Sequence, residues 1–464
     1  MSRPRPIWSP PVPPNFLFLI ADDHRHDAIG SLGNPAVHTP TLDALTAAGT
    51  ALTSTYIMGS TSNAVCMPSR AMLMTGRSLF RVFAPNPAGV SPYPMDPEIP
   101  TFPQLLRGAG YRTYGVGKWH NEPDLFARSF DGGGSIFFGG MSDHDAVPLH
   151  DFDRDGVYPP ESMTLGDGFS TEMFVDRAIH LLREHPAGQP FCLYTAFTAP
   201  HDPRTPPAEF AEMYPPEDID LPPNFARMHP FDNGHLHGRD ESLATHPRDP
   251  DEVRQHIADY YGMISHLDSQ IGRLLDALAA SGHAENTIVV YTADHGLAVG
   301  QHGLLGKQNV YDHSLRVPLI VRGPGIPAGQ RREGLCYLHD MFPTILELAG
   351  LQAPSGSEGV SLVPALTGRD AEMRDCVFAA IQRSQSLGAD DSTQRMVRRG
   401  SLKLLETRLA GQTHVQIFDL SDDPWETRNL AGDPACAERV ATMRRLLDRE
   451  RRRAGDPNMP GTDA

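Results

Sequence analysis

Ionisable residues stand at or shortly after the ends of four short apolar runs in this chain. Asp22 and Asp23 follow NFLFLIA (15–21), and Lys118 and His120 follow YGVG (114–117). His201 follows FCLYTAF (191–197), and Asp294 and His295 follow TIVVYTA (287–293). Loops are polar in most proteins, so one such coincidence means little. Four of them, three with metal-ligating residue types, point to a shared site. Asp22, Asp23 and Asp294 offer hard oxygen donors, and His295 completes a four-ligand set for one divalent cation. Without a cation or a bound proton, three converging carboxylates would repel one another.

A cation in such a crevice needs an anion. Arg70, Lys118, His120, His201 and Lys307 are the positive or proton-bearing groups that fall at the same edge. Together with a metal they imply a tetrahedral oxyanion: sulfate, phosphate or phosphonate. Cys66 opens the segment CMPSRAMLMTGR (66–77), at the start of a predicted helix, where anions are favoured. Its neighbours are small and polar, whereas a packing cysteine prefers an apolar run. Metal ligand, redox thiol and nucleophile are the roles that remain open for it.

The elements that must carry these residues can be read from hydrophobic pattern. The runs at 15–21, 114–117, 191–197, 287–293 and 317–321 are continuous rather than alternating, as in strands buried on both faces. Helical periodicity falls between them at 41–48, 101–108, 170–184 and 252–280. The alternation predicts an α/β fold: a large mixed, mostly parallel, doubly wound sheet flanked by helices. In open α/β sheets the carboxyl ends of the strands form the binding crevice, which is where the ionisable residues sit. Residues 200–250, rich in Pro, Asp and His, read as a long surface excursion that lines the pocket mouth together with 121–170. After about residue 370 the pattern changes to short strands and a basic helix at 436–453. Residues 1–370 are therefore expected to form a catalytic domain, and 371–464 a smaller C-terminal α+β subdomain.

Composition excludes several function classes. The 464 residues carry 40 basic and 57 acidic side chains, a net charge of −17. That argues against nucleic-acid or acidic-membrane binding by the surface as a whole. Five cysteines, odd in number and without a CxxC, exclude a disulfide framework or a zinc ribbon. The N-terminus starts basic, but its apolar run is short and follows prolines. No signal peptide or membrane span is expected, and the cytoplasm is the expected location. His229, His235, His237 and His246 read as solvated loop histidines. His24 and His26 either face the substrate or are absorbed by their own turn. Cys192 reads as core. The Arg-rich end of the last helix (Arg449, Arg451 to Arg453) reads as a solvated face that suits the helix dipole.

One resemblance gathers these readings. CMPSRAMLMTGR is similar to the signature of the type I, formylglycine-dependent sulfatases of the alkaline phosphatase superfamily, C-x-P-S-R-x-x-x-x-T-G-R. LIADDHRHDAIGSLG, GYRTYGVGKWH, TAPH and TADHG with GQHGLLGK resemble further motifs of that family. LKLL with IFDLSDDPWETRNL resembles its C-terminal subdomain, so the likeness runs from about 15 to 430. It implies that Cys66 is oxidised to formylglycine by a formylglycine-generating enzyme. The hydrated aldehyde has two hydroxyls: one attacks sulfur, and the other allows sulfate to be expelled. It further implies that Asp22, Asp23, Asp294, His295 and the modified Cys66 hold one divalent cation, calcium first, manganese or magnesium otherwise. Arg70 would hold the hydrate, His120 would promote elimination and His201 would protonate the leaving group. Lys118 and Lys307 would clamp sulfate oxygens, and Ser69 and Thr75 would shape the motif. The substrate would be a small anionic sulfate ester of an aryl alcohol, choline or a sugar, with no nucleic-acid or membrane partner. Many family members carry Asn where His295 stands, and Asp-His also occurs in relatives that cleave phosphonate monoesters and phosphodiesters. Tyr311 and Asp312, an aromatic and an acid after LLGK, leave that second reaction open. A third reading is an anion-binding protein in which Cys66 stays a thiol.

Overall fold

The run Asn15–Ala21 forms a strand in which all seven residues are buried. It pairs in parallel with Thr287–Ala293, from Asn15 opposite Thr287 to Ala21 opposite Ala293. On its other side it pairs in parallel with Phe191–Ala196. These are the centre of an eight-stranded sheet in a computed structural model that describes residues 12–84, 94–369, 373–382 and 392–458. The strand order is Gln330–Arg332, Thr50–Leu52, Leu319–Arg322, Thr287–Ala293, Asn15–Ala21, Phe191–Ala196, Arg112–Lys118, Gly132–Phe137. The last five run parallel, while Leu319–Arg322 is antiparallel to both neighbours. The sheet is thus mixed and mostly parallel, and the apolar run at 317–321 reports burial on two faces rather than strand direction. The basic residues 1–11, part of the N-terminal reading, lie outside the described residues.

The predicted helices form at Pro40–Ala47, Phe102–Gly108, Ser170–Arg183 and Pro250–Ala280. The long one begins where Pro250 presets the backbone and Asp249 caps it, accepting from the Asp251 and Glu252 amides at 2.9 and 3.2 Å. Ile257, Ile264, Leu267, Ile271, Leu274 and Leu278 form its buried stripe, each worth about 1.5–3 kcal/mol of apolar burial. A further helix, Cys66–Thr75, is buried along all ten residues, Ser69 and Arg70 included. It stops at Gly76, whose φ of 65° is left-handed and whose amide donates to the Met72 carbonyl at 2.8 Å. A side chain there would come within 2.5 Å of the Phe342 ring, which is why the motif carries glycine at this point.

Residues 200–250 are not a loose excursion. Arg248 is fully buried and donates through Nη1 to the carbonyls of Glu241 and Ala244, both at 2.9 Å, and through Nε to Gly303 at 3.1 Å. Of the four histidines expected in solvent, His237 and His246 are exposed, but His229 and His235 are buried. His229 Nδ1 donates to the His302 carbonyl at 2.9 Å, and that partner is what makes its burial tolerable.

Beyond residue 373, four strands (Cys376–Gln382, Thr393–Arg399, Leu402–Leu409, Gln412–Asp419) pair antiparallel, with the helix Ala437–Ala454 packed on them. The two-residue strand Gly59–Ser60 adds to this sheet in parallel, Gly59 opposite Ala380, seven residues before Cys66. Of the arginines at the end of the helix, Arg449, Arg452 and Arg453 are exposed as expected. Arg451 instead turns inward and pairs with Asp456 at 2.8 Å. The described residues include no helix long and apolar enough to cross a membrane.

Candidate active site

Strand register decides which side chains meet. Because Ala21 is opposite Ala293, the next residues, Asp22 and Asp294, emerge side by side from the two central strands. The Asp294 amide donates to the Ala21 carbonyl at 3.2 Å, and the Asp22 amide to Ala199 at 3.1 Å. Asp23 turns back with a left-handed φ of 66°, and its amide donates to Asp294 Oδ1 at 3.3 Å. His295 donates through Nδ1 to the Gly296 carbonyl at 3.0 Å, which leaves the lone pair on Nε2. That nitrogen lies 3.8 Å from Asp22 Oδ1 and 3.6 Å from Asp294 Oδ1. One ligand atom from each of Asp22, Cys66, Asp294 and His295 falls within 4.8 Å of the others. Asp22 Oδ1, Asp23 Oδ2 and His295 Nε2 are buried without a hydrogen-bond partner. Buried orphan acceptors of this kind, oxygen-rich with one imidazole, fit a divalent cation.

The positive groups surround that cluster. Arg70, one helical turn after Cys66, donates through Nε to Asp294 Oδ2 at 2.8 Å and through Nη1 to the Lys118 carbonyl at 2.7 Å. Lys118 Nζ bonds the Asp22 carboxylate and the Gly140 carbonyl and lies 4.0 Å from Cys66 Sγ. Lys307 Nζ bonds Asp23 Oδ1 at 2.8 Å and His201 Nε2 at 2.9 Å. His120, at a left-handed φ of 57°, reaches the same cavity wall. Thus the structure brings together Cys66, Arg70, Lys118, His120, His201, Lys307 and all four proposed ligands. Ser69 backs the cluster, its hydroxyl donating to the Asp294 carbonyl at 2.5 Å. The Thr75 hydroxyl donates to the Ala71 carbonyl at 2.8 Å and accepts from the Arg77 amide at 3.3 Å.

The electrostatics favour positive charge at this cluster. Burial alone would raise Asp22, but Lys118, His201 and Arg70 together outweigh it and hold the carboxyl at about 2. Burial, then the Asp22 charge, pushes Asp294 up to about 6. Burial would lower His295, yet the Asp294 and Asp23 carboxylates raise it to about 9. A proton is held where a cation would sit. Burial would also raise the Cys66 thiol, but Lys118 and Lys307 outweigh it and bring it well below its ordinary range. An anion at position 66 is therefore favoured.

Above Cys66 opens a cavity of about 390 Å³, walled by His120, His201 and Lys307 and rimmed by Asn63, Gly140, Met141, His235, Arg239, Asp240 and Gln308. Both segments expected at the mouth contribute. Sequence reasoning passed over Asp202, Arg239, Asp240 and Gln308; only the position of Asp202 beside His201 marked any of them. A larger open groove of about 660 Å³, lined in part by Arg316, Arg374 and Arg398, shares none of these residues. His24 faces away: it donates through Nε2 to Ala28 at 2.9 Å and accepts from the Tyr291 hydroxyl at 2.5 Å. Its own turn absorbs it. Tyr311 and Asp312 also miss the cavity, bonding Gln416 at 2.8 Å and Lys403 at 2.6 Å on the C-terminal sheet. Cys192 is core, as expected.

Comparison with known proteins decides the family. The model of the sulfatase family matches residues 14–351, and that of the N-sulphoglucosamine sulphohydrolase C-terminal family matches 300–453. The chain belongs to the sulfatase family. It is 28% identical to the N-acetylglucosamine-6-O-sulfatase of Bacteroides thetaiotaomicron, over 96% of this chain and 87% of the relative. It is 29% identical to an arylsulfatase of Clostridium perfringens, over 94% of each chain. A structure solved with its substrate D-glucosamine-2-N,6-O-disulfate superposes with a TM-score of 0.81 at 24% identity, covering 97% of this sulfatase and 100% of that chain. The phosphonate monoester hydrolase of Agrobacterium radiobacter superposes with a TM-score of 0.75 at 24% identity, covering 95% and 96%. At those identities the two superpositions speak for the fold. The sulfatase is thus a hydrolase of sulfate esters.

Proposed function

We propose that this sulfatase cleaves a sulfate monoester using formylglycine at position 66 and one divalent cation held by Asp22, Asp23, Asp294 and His295, with residue 66 as a further ligand. The observation that carries the proposal is the meeting of Asp22, Asp294 and His295 with Cys66 Sγ, one ligand atom from each within 4.8 Å of the others, with Asp22 Oδ1 and His295 Nε2 buried and without a hydrogen-bond partner. Three carboxylates suit calcium; the imidazole also accommodates manganese, and magnesium is the remaining candidate. The cation, when bound, neutralises the carboxylates and polarises sulfate oxygens. The aldehyde hydrate supplies a nucleophile and a second hydroxyl for release of sulfate.

The chain's own residues do the rest. Lys118 and Lys307 flank position 66 and hold sulfate oxygens against the floor of the cavity. Arg70 fixes the helix that presents residue 66 to Asp294 and so orients the hydrate. His120, kept below its ordinary range chiefly by burial, takes a proton from the hydrate when sulfate leaves. His201, across the cavity, gives a proton from Nε2 to the departing alcohol. The rim of Asn63, Arg239, Asp240, Gln308 and His235 suits a polyhydroxylated leaving group such as a sugar. Maturation by a formylglycine-generating enzyme, action in the cytoplasm with all five cysteines free, and a division near residue 370 into catalytic domain and C-terminal subdomain belong to the same reading.

Intact mass, elemental analysis and a substrate panel test this together. We expect an aldehyde mass at residue 66, about one equivalent of divalent metal, and loss of both metal and activity in Asp294→Ala. Full metal occupancy in Asp294→Ala would overturn the ligand assignment. A second reading, phosphonate monoester or phosphodiester hydrolysis, draws on the 29% identity to a multifunctional alkaline phosphatase superfamily protein of Trinickia caryophylli. A higher kcat/KM for an aryl phosphonate than for the matching aryl sulfate would favour it.

A further inference from the structure

Asp202 has no part in the reaction as derived so far, yet it is built into the site. Its side chain is 6% exposed, and Oδ1 lies 3.3 Å from His201 Nδ1. Arg239 grips the same carboxylate from the mouth, Nη1 at 3.3 Å from Oδ1 and Nη2 on Oδ2. Arg239 is itself half-exposed and is tied on its other side to Asp240 Oδ1 at 2.6 Å. A continuous row therefore runs from the rim of the cavity to an imidazole on its wall.

The two nitrogens of His201 have different surroundings. Nε2 faces the reacting end, 2.9 Å from Lys307 Nζ and 4.0 Å from Asp23 Oδ2. Nδ1 donates to the Asp202 carbonyl at 2.7 Å, with the Asp202 carboxylate beside it. An imidazole can give a proton from Nε2 only while Nδ1 keeps its own hydrogen. The Asp202 carbonyl at Nδ1 fixes that tautomer, and the carboxylate 3.3 Å away stabilises the imidazolium that precedes transfer, as the carboxylate of the Asp–His pair does in serine proteases.

We propose that Asp202 is a positioning residue for His201, held in place by Arg239, and that the row Arg239–Asp202–His201 aims Nε2 at the leaving oxygen. The proposal rests on the reading of His201 as the acid. As the sulfur–oxygen bond breaks, its electron pair goes to the departing alcohol oxygen, which takes the Nε2 proton. The Nδ1 hydrogen stays on the ring against Asp202, and the ring ends neutral. Because Arg239 sits on the rim, the leaving group that the mouth admits also meets the residue that steadies the acid.

The test uses formylglycine-bearing enzyme and a series of aryl sulfates whose leaving groups range from good to poor. Only a poor leaving group needs the proton. Asp202→Asn is expected to lose about 10- to 100-fold in kcat/KM on the poorest leaving group and about threefold or less on the best. Arg239→Met is expected to show the same slope, more weakly. In a His201→Ala background, Asp202→Asn is expected to cost about twofold or less, because both changes remove one function. A sloped profile for His201→Ala with a flat one for Asp202→Asn overturns the proposal alone, as does additivity of the two losses. A flat profile for His201→Ala overturns the acid assignment and the proposal with it. Should Asp202→Asn not fold, Arg239→Met at its half-exposed position decides: an unchanged slope overturns the proposal.

Discussion

Arg70 Nε donates to Asp294 Oδ2 at 2.8 Å, and both side chains are buried to within 1% of their surface. The residue one turn beyond Cys66, the proposed nucleophile position, is thereby bonded to a carboxylate of the proposed cation site. The helix and the sheet edge cannot shift independently without breaking this pair.

Arg70→Met is therefore expected to weaken divalent metal binding and lower stability together. Removing one partner of a buried ion pair typically costs about 3–5 kcal/mol, because the remaining charge is left uncompensated. Asp294, already pushed up to about 6 by burial and by Asp22, would become still easier to protonate and so a poorer ligand. Calorimetric titration with calcium and thermal melts with and without metal check this. Unchanged calcium affinity would separate the helix from the cation site.

Cys66→Ala is expected to be inactive, and Cys66→Ser to give at most one slow turnover. A serine hydroxyl can attack the ester, but it lacks the second hydroxyl on the same carbon that expels sulfate. Rapid-quench kinetics should show a burst of alcohol followed by arrest. Sustained turnover by Cys66→Ser would instead assign the reaction to activated water at the metal.

Glu241 holds the loop that carries Lys307. Its carboxylate accepts from the Leu305 and Gly306 amides, both at 2.9 Å, and pairs with buried Arg248. Glu241→Ala leaves those two amides without their acceptor and a fully buried guanidinium without its counter-charge, at a cost of about 3 kcal/mol. Hydrogen exchange at residues 305–307 should accelerate at least tenfold, with kcat/KM falling as Lys307 loses its position. Native-like protection of those amides would contradict this.

Acid should unfasten the C-terminal helix. Asp456 accepts from Arg395 at 2.7 Å and from Arg451 at 2.8 Å. Burial would raise its pKa, but Arg395 outweighs it and holds the carboxyl at about 2, below its ordinary 3.8. A depressed carboxyl contributes stability above its unfolded pKa and loses it as pH falls through the folded one. After screening by nearby solvent, the contribution is about 1 kcal/mol. The stability gap between the natural protein and Asp456→Asn should be constant above pH 5 and shrink between about pH 4 and pH 2, as urea melts at each pH would reveal.

Much of this was legible in the sequence by itself. Continuous apolar runs gave the central strands, because burial on both faces leaves no room for polar residues. The residues behind those runs gave the site, because a parallel sheet places every strand's carboxyl end on one edge. Asp22, Lys118, His201 and Asp294 could be assigned to one crevice on that basis alone, and the spacing from Cys66 to Arg77 pointed to the family.

Tertiary structure alone decided what depends on partners distant in the chain. The register that sets Ala21 against Ala293 placed Asp22 beside Asp294, and hydrophobic pattern carries no register between remote strands. The burial of His229 followed from the fold around 300–311, where the His302 carbonyl and the Tyr311 ring meet it, since a histidine's exposure depends on whether a carbonyl or ring is waiting for it. Gly59–Ser60 joined the C-terminal sheet although two residues show no period. Arg239 reached Asp202 across 37 positions, because a salt bridge is specified by where two side chains end and not by the sequence between them.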